Sequence, residues 1–260
     1  MERGARLSLL LLLCGLSIIP TAAGVAGAPG SPARITVEPA SIPIGMAYDG
    51  ASVQVGVEVP VGYEAAVRVM GQGETLEMKQ KGKLGRVLWM SVGEVTFKAV
   101  PAVYFLLSTK PLMDSASPTV LTEWQLGYAA LASAAGWPSG SFLELIKLKE
   151  KEGRFLVEEG RLVRSNMAPG GTTDRFTGAF RFPARAPAGE YRVDLFGFQD
   201  RRAVRLGSTT VRLEYTGLAR ILRYVATEHG LIYGAMSVVL AVFAGMTTGF
   251  LFHPKRSKGK

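Results

Sequence analysis

"PAGEYRVDLFGF" (Pro187–Phe198) is the stretch whose reading decides the fold. A Pro/Gly turn leads directly into an alternation. Tyr191, Val193 and Leu195 fall on one side, Arg192 and Asp194 on the other. Period two with one apolar side marks a strand that buries a single face. A turn followed by such a strand is common near the end of immunoglobulin-like sandwiches. On this reading Arg192 and Asp194 face outward.

The same pattern extends in both directions. Upstream, "ASVQVGVEVP" sets Val53, Val55, Val57 and Val59 against Gln54 and Glu58. "RITVEP", "YEAAVRVMG", "TLEMKQ", "GRVLWMSV", "EVTFKAV" and "VYFLLST" complete the N-terminal series, with a hairpin-like break at Gly71–Gly73. This predicts about six strands between Arg34 and Thr109. "RFLVEE" and "GRLVRS" read as a hairpin around Gly160, and three more strands follow from Asp174 to Tyr215. Between the two sets lie two helical stretches. "SPTVLTEWQLGYAALASAAG" starts with Ser117 as N-cap and Pro118 at the first helical position, and ends at Gly136. "SGSFLELIKLKEKEG" puts Phe142, Leu145, Ile146 and Lys149 on one side, capped by Ser139 or Ser141 and ended at Gly153. The expected fold is mainly β. It is an immunoglobulin-like β-sandwich over residues 34–215 with a helical insertion at about 117–153, plus one C-terminal transmembrane helix.

Both ends of the 260-residue chain are apolar. Arg3 and Arg6 precede an apolar core, Leu7–Ile19, then Pro20 and the small residues Thr21, Ala22 and Ala23. This is the layout of a secretory signal over residues 1–23, cleaved after Ala23 or Ala26, with a linker over 24–33. Cys14 is the sole cysteine and lies within that apolar core. The mature chain therefore has no disulfide, thiolate metal site or cysteine nucleophile.

At the other end, residues 216–229 read as a juxtamembrane helix running on into the span, either straight or with a bend at Gly230. Leu218, Ile221, Leu222 and Val225 lie on one side of it, with Arg220 and Arg223 beside them. Residues 230–253 form the span, and no Asp, Glu, Lys or Arg occurs from Leu231 to Phe252. Twenty-two helical residues reach about 33 Å, enough for a bilayer core. The tail at 254–260 carries Lys255, Arg256, Lys258 and Lys260, which suit the cytoplasmic side and contact with anionic lipid. Bacterial inner-membrane placement follows, single-pass, with the large domain periplasmic and the C-terminus cytoplasmic. Of the formal charge of +9, residues 1–23 carry +1 and the tail +4, leaving a mild excess of +4 on the rest, and no nucleic-acid motif accompanies it.

Several segments together resemble a family of alphaproteobacterial single-pass transmembrane proteins without an assigned function. They are "FKAVPAVYFLLSTKPL" (Phe97–Leu112), "FLELIKLKEKEGRF" (Phe142–Phe155), "FTGAFRFPARAPAGEYRVDLFGF" (Phe176–Phe198) and "ATEHGLIYG" (Ala226–Gly234). The resemblance implies an exported domain with a C-terminal anchor. The family's association with gene neighbourhoods of sulfite-exporter-like permeases implies such a permease as a candidate partner. It implies no catalytic residues.

The residues themselves point away from catalysis. The mature chain has two histidines, His229 and His253, on opposite sides of the span. No G-x-S-x-G, P-loop or dinucleotide fingerprint occurs. "GQGETLEMKQKGKLG" lacks P-loop spacing and reads as a hairpin tip with its neighbouring loop. Glu158 and Glu159 sit at a turn, and Asp174 and Asp194 are isolated. The expectation is no enzyme, no metal and no cofactor. His229 is an interfacial anchor or packing residue, or a pH-sensitive contact to a membrane partner. Tyr104, Ser108, Thr109 and Lys110 end an apolar strand and could form a contact patch. Trp124, Tyr128 and Trp137 either cover the core or form an aromatic docking surface.

Within the span, Gly230, Gly234, Ser237, Ala241, Gly245 and Gly249 recur at steps of 4, 3, 4, 4 and 4. They form one stripe of small residues, suited to close helix packing in a bilayer. The expected partner is another transmembrane protein or a second copy of this chain. Two functions remain open. One is an interaction protein, an accessory subunit of an inner-membrane complex or transporter. The other is a periplasmic domain that binds a small anion or acts as an enzyme. A deep pocket with converging arginines would favour the second; an apolar patch on the insertion would favour the first.

Overall fold

The structure is a computed structural model that describes residues 33–84, 88–138, 140–165 and 172–251, with side chains outside 80–92 and 251. The expected signal segment, Ser139, His253 and the basic tail lie outside the described residues.

Two sheets face each other. The first contains β1 (Arg34–Glu38), β3 (Ala51–Pro60), β10 (Thr173–Phe182) and β9 (Val163–Arg164), in that spatial order. The second runs β2 (Ser41–Ile44), β12 (Arg202–Tyr215), β11 (Gly189–Gln199), β4 (Glu64–Met70), β7 (Tyr104–Ser108) and β8 (Phe155–Glu158). The chain changes sheets between β1 and β2, and β2 then pairs parallel with the last strand. Both sheets turn apolar residues inward. Val53, Val55, Val57 and Val59 of β3 meet Val67, Val69, Val193 and Leu195, all essentially buried. An aromatic group, Phe105, Phe180, Phe182 and Tyr191, closes one end of this layer.

The opening stretch forms β11, as its alternation predicts. Tyr191 donates its hydroxyl proton to the Pro187 carbonyl, four residues back, at 2.5 Å. This is the tyrosine corner of immunoglobulin-like sandwiches, in which a cysteine often follows two residues later. Here that position is Val193, fully buried in the core. The mainly β sandwich and the C-terminal apolar helix are both present.

The local predictions fare unevenly. Seven strands lie between Arg34 and Ser108; β2 is one the pattern did not announce, and one long hairpin stands apart. Its strands, β5 (Gly73–Leu84) and β6 (Leu88–Pro101), pair with each other and with neither main sheet. The break at Gly71–Gly73 is thus no hairpin: β4 pairs with β11 and β7 on either side. "GETLEMKQKGKL" is a full strand of the arm. The expected hairpin at Gly160 is also absent. β8 pairs parallel with β7, whereas β9 pairs with β10 in the other sheet. The chain crosses between the sheets there.

The single long helix predicted from Ser117 is two short ones, α2 (Pro118–Glu123) and α3 (Tyr128–Ala134). Ser117 does cap α2, accepting from the Val120 N–H at 3.4 Å. Between the helices, Gln125 has φ 53 and Gly127 has φ 95, both left-handed. This turn inserts Leu126 into the core at 1% exposure, burial that outweighs helix continuity. α1 (Leu112–Ser115) precedes them and α4 (Phe142–Lys151) follows. In α4, Leu145, Ile146 and Lys149 are buried as the spacing predicts.

Candidate functional site

The helices and the base of the β5–β6 arm cover the outer face of the six-stranded sheet, over a second core. Tyr104 and Leu106 of β7, Phe155 of β8, and Phe196 and Phe198 of β11 meet Leu121, Leu126, Leu131, Trp137 and Leu145 there. Asp194 therefore does not face solvent, as its alternation suggests. It points to the covered side and is completely buried. Arg68 of β4 reaches it with Nη2 at 2.7 Å and also donates to the Trp124 carbonyl through Nη1. The guanidinium stands 5.1 Å from the Phe196 ring centre, and Trp124 packs on that ring at 5.6 Å. Ser208 donates to the other carboxylate oxygen at 2.9 Å. Arg192 and Arg205 approach at 3.3 and 3.8 Å. Arginines do converge here, yet they converge on a carboxylate of the protein itself.

The tyrosines complete this layer. Tyr104 donates to the Gln125 carbonyl and accepts from the Gly127 N–H, both at 2.8 Å, so one hydroxyl holds the helix-breaking turn. Burial pushes the hydroxyl pKa of Tyr104 well above its ordinary value. Tyr128 stacks on Phe155 at 6.1 Å, and burial followed by the nearby Glu150 carboxylate raises its pKa too. Trp137 donates its indole N–H to the Lys98 carbonyl at 2.9 Å. Trp124 and Trp137 thus cover the core. Tyr128 does this and also lines a groove.

That groove is an open, largely apolar trough of about 420 Å³ on the β-rich domain. Leu112, Met113, Pro118, Leu121, Tyr128 and Val157 are among the residues that form it, and Glu159 is its one charged member. Glu159 is engaged, since its carboxylate accepts from the Leu112 N–H at 3.3 Å. A separate depression of about 460 Å³ is lined by Tyr63, Gln199, Asp200, Arg202 and Val204, where one acid offsets one base. Among the described residues, no group of three His, Cys, Asp or Glu could hold a metal ion.

The predicted patch at the end of β7 is an internal clamp. Thr109 donates to Glu64 at 2.7 Å, Lys110 pairs with the same carboxylate at 2.7 Å, and Ser108 donates to the Lys110 carbonyl at 2.6 Å. Burial raises the Glu64 pKa, but Lys110 and Thr109 together outweigh it and leave it lowered. Glu158 pairs with Arg161 at 3.0 Å. Asp174 is buried and paired with Arg164 at 2.9 Å, so neither isolated aspartate is isolated. The burial of Asp194 could not be read from the sequence, because it sits at the polar position of a regular alternation; Asp174 is instead in phase with Phe176, Phe180 and Phe182, the buried side of β10.

The C-terminal region stands clear of the sandwich core. α5 (Gly217–Glu228) buries no residue. α6 (Gly230–Leu251) is long and apolar enough, from Gly230 to Phe250, to cross a membrane. The two do not run together as one rod: His229 between them has φ −130 and ψ 52, which is non-helical. The imidazole is exposed and meets Tyr224 edge-on at 5.7 Å. On α6, a Cβ added at Gly230, Gly234, Gly245 or Gly249 would meet nothing within 4 Å. Ser237, Thr247 and Thr248 donate to the carbonyls of Tyr233, Phe243 and Ala244 at 2.7–2.8 Å. Their hydroxyls are satisfied within the helix, so the small-residue stripe is short of side-chain bulk and of free polar groups alike.

A family described as "Putative transmembrane protein (Alph_Pro_TM)" matches residues 34–254, from the first strand through the apolar helix. The chain belongs to this family. It is accordingly a membrane protein with a β-rich domain ahead of a C-terminal span, and among the described residues that is the one candidate span. No curated protein sequence matches this family member. Among solved structures, it is similar to the N-terminal domain of the Streptococcus gordonii adhesin Sgo0707. That similarity is at 11% identity with a TM-score of 0.27, covering 70% of this chain and 32% of the other. The chain thus spans about a third of that structure's length, and a likeness so slight carries no argument.

Proposed function

We propose that this protein is a membrane-anchored periplasmic interaction subunit that works by binding and performs no catalysis. The observation that carries the reading is the open apolar groove on the helical layer, between α1, α2, α3 and the end of β8. Its position on the insertion matches a partner surface, and its single carboxylate is already bonded to the protein. The arginine cluster, which would have favoured anion binding, is occupied by Asp194.

In this reading the groove engages the partner's exposed part, while the stripe from Gly230 to Gly249 packs against a transmembrane helix. Confinement of both chains to one bilayer raises their effective concentration, so neither contact needs to be strong alone. The signal-like N-terminus and the basic tail support the inner membrane with the domain outside. A multi-span transporter, such as a sulfite-exporter-like permease, is the partner the family resemblance favours.

Crosslinking in native membranes followed by affinity purification tests this. Recovery of one multi-span protein supports the accessory role. Consistent recovery of nothing, with the solubilised protein monomeric, sinks it.

A further inference from the structure

The geometry points to α5 as a second membrane contact, an amphipathic helix lying on an anionic lipid surface beside the span. Three observations converge. First, α5 leaves its apolar side uncovered: every residue from Gly217 to Glu228 is at least partly exposed, and the helix touches the β-domain through the polar-side Arg223, over the Tyr215 ring at 4.9 Å. Second, its sides are chemically opposed. Leu218, Ile221, Leu222 and Val225 fall within an arc of about 100°, with Arg220, Arg223 and Thr227 on the far side. Leu218 and Ile221 are 52% and 59% exposed. No acidic residue occurs on the helix before Glu228. Third, its position is fixed covalently. One residue, His229, separates it from a helix that enters the bilayer, so its C-terminal end lies at the membrane surface.

An upright α5 would extend the span axis by about 18 Å and leave its apolar arc in water. The non-helical backbone at His229 removes the need for that. With α5 turned into the interface, the apolar arc meets acyl chains while the guanidinium groups remain at headgroup level. Anionic headgroups are the complement to Arg220 and Arg223.

The test uses the full chain in phosphatidylcholine vesicles with and without phosphatidylglycerol, Cys14 being replaced by serine. Single cysteines at Arg220→Cys, Ile221→Cys, Leu222→Cys and Thr227→Cys carry an environment-sensitive fluorophore. A lipid-tethered nitroxide should quench labels at 221 and 222 severalfold more than at 220 and 227, with aqueous iodide giving the reverse order. The contrast should be sharper with phosphatidylglycerol and weaker in R220Q/R223Q. A profile without this alternation overturns the proposal. So does a contrast that vanishes in nanodiscs holding one chain each, since a second copy would then be the covering surface. Indifference to phosphatidylglycerol overturns the anionic part. None of these outcomes depends on the groove or on the stripe having a partner.

Discussion

The two faces of the six-stranded sheet are filled by different means. The inner face is aliphatic: Val67, Val69, Val193 and Leu195 interdigitate with the valines of β3. The outer face sets Phe196 and Tyr104 around a buried Arg68–Asp194 pair and is roofed by short helices. An aliphatic layer gains stability from area and tolerates modest change in shape. A buried ion pair gains little over an apolar substitute, but loss of one partner strands the other charge. The outer face is therefore the brittle one. The difference suits a scaffold: the inner layer holds the sandwich together, while the outer layer fixes the helices that shape the groove.

Urea unfolding of the detergent-solubilised chain, followed by tryptophan fluorescence, can break this contrast. Asp194→Ala should have the largest effect, a loss of about 3–5 kcal/mol, while Asp194→Leu combined with Arg68→Met recovers most of it. A loss below about 1 kcal/mol for the single change would show that the outer face does not rest on the pair. Leu195→Ala, on the inner face, should cost about 3 kcal/mol with no rescue by any change at Arg68. Tyr104→Phe removes the hydroxyl between Gln125 and Gly127 and should cost about 2 kcal/mol, weakening the helical layer before the sandwich. Tyr191→Phe, which loses the tyrosine-corner bond, should cost about 1 kcal/mol.

The smallest effect on stability is also the most informative about function. Met113→Glu and Ala129→Glu, both exposed in the groove, should change stability by no more than about 0.5 kcal/mol while lowering crosslinking to the partner. Gly234→Leu with Gly245→Leu should likewise leave folding and insertion intact while abolishing association within the bilayer. Undiminished crosslinking in both variants would count against the accessory reading.

The sequence discloses the inner face and conceals the outer one, for a physical reason. Alternating valines in β3, and Tyr191, Val193 and Leu195 in β11, report burial directly, because one side of the strand is apolar and the other is not. Asp194 gives the opposite impression. A charged residue at the polar position of an alternating strand reads as solvated unless its cover is known, and that cover comes from other parts of the chain: Arg68, 126 positions away, and the helices of the insertion. The turn at Gln125–Gly127 was hidden for a related reason: helical spacing continues through it, and only the pull of Leu126 into the core breaks the helix. The β8–β7 pairing is parallel and joins segments separated by four helices, which no local turn announces. The groove inherits all three of these concealed features. By contrast the apolar helix from Gly230 and the spacing of its glycines were legible, since composition and period are local properties.

The single non-helical residue at His229 has a mechanical meaning. A continuous helix is a stiff rod, and a torque applied at one end appears at the other. Two rods joined through one non-helical residue form a bent crank, even with the His229 N–H bonded to the Val225 carbonyl and its own carbonyl to the Tyr233 N–H, both at 3.0 Å. A neighbour that grips the span can set its rotation and tilt without forcing the same rotation on the sandwich above. Such a joint is poorly suited to carrying a twisting signal inward. It is well suited to a clasp whose two halves must each find their own seat.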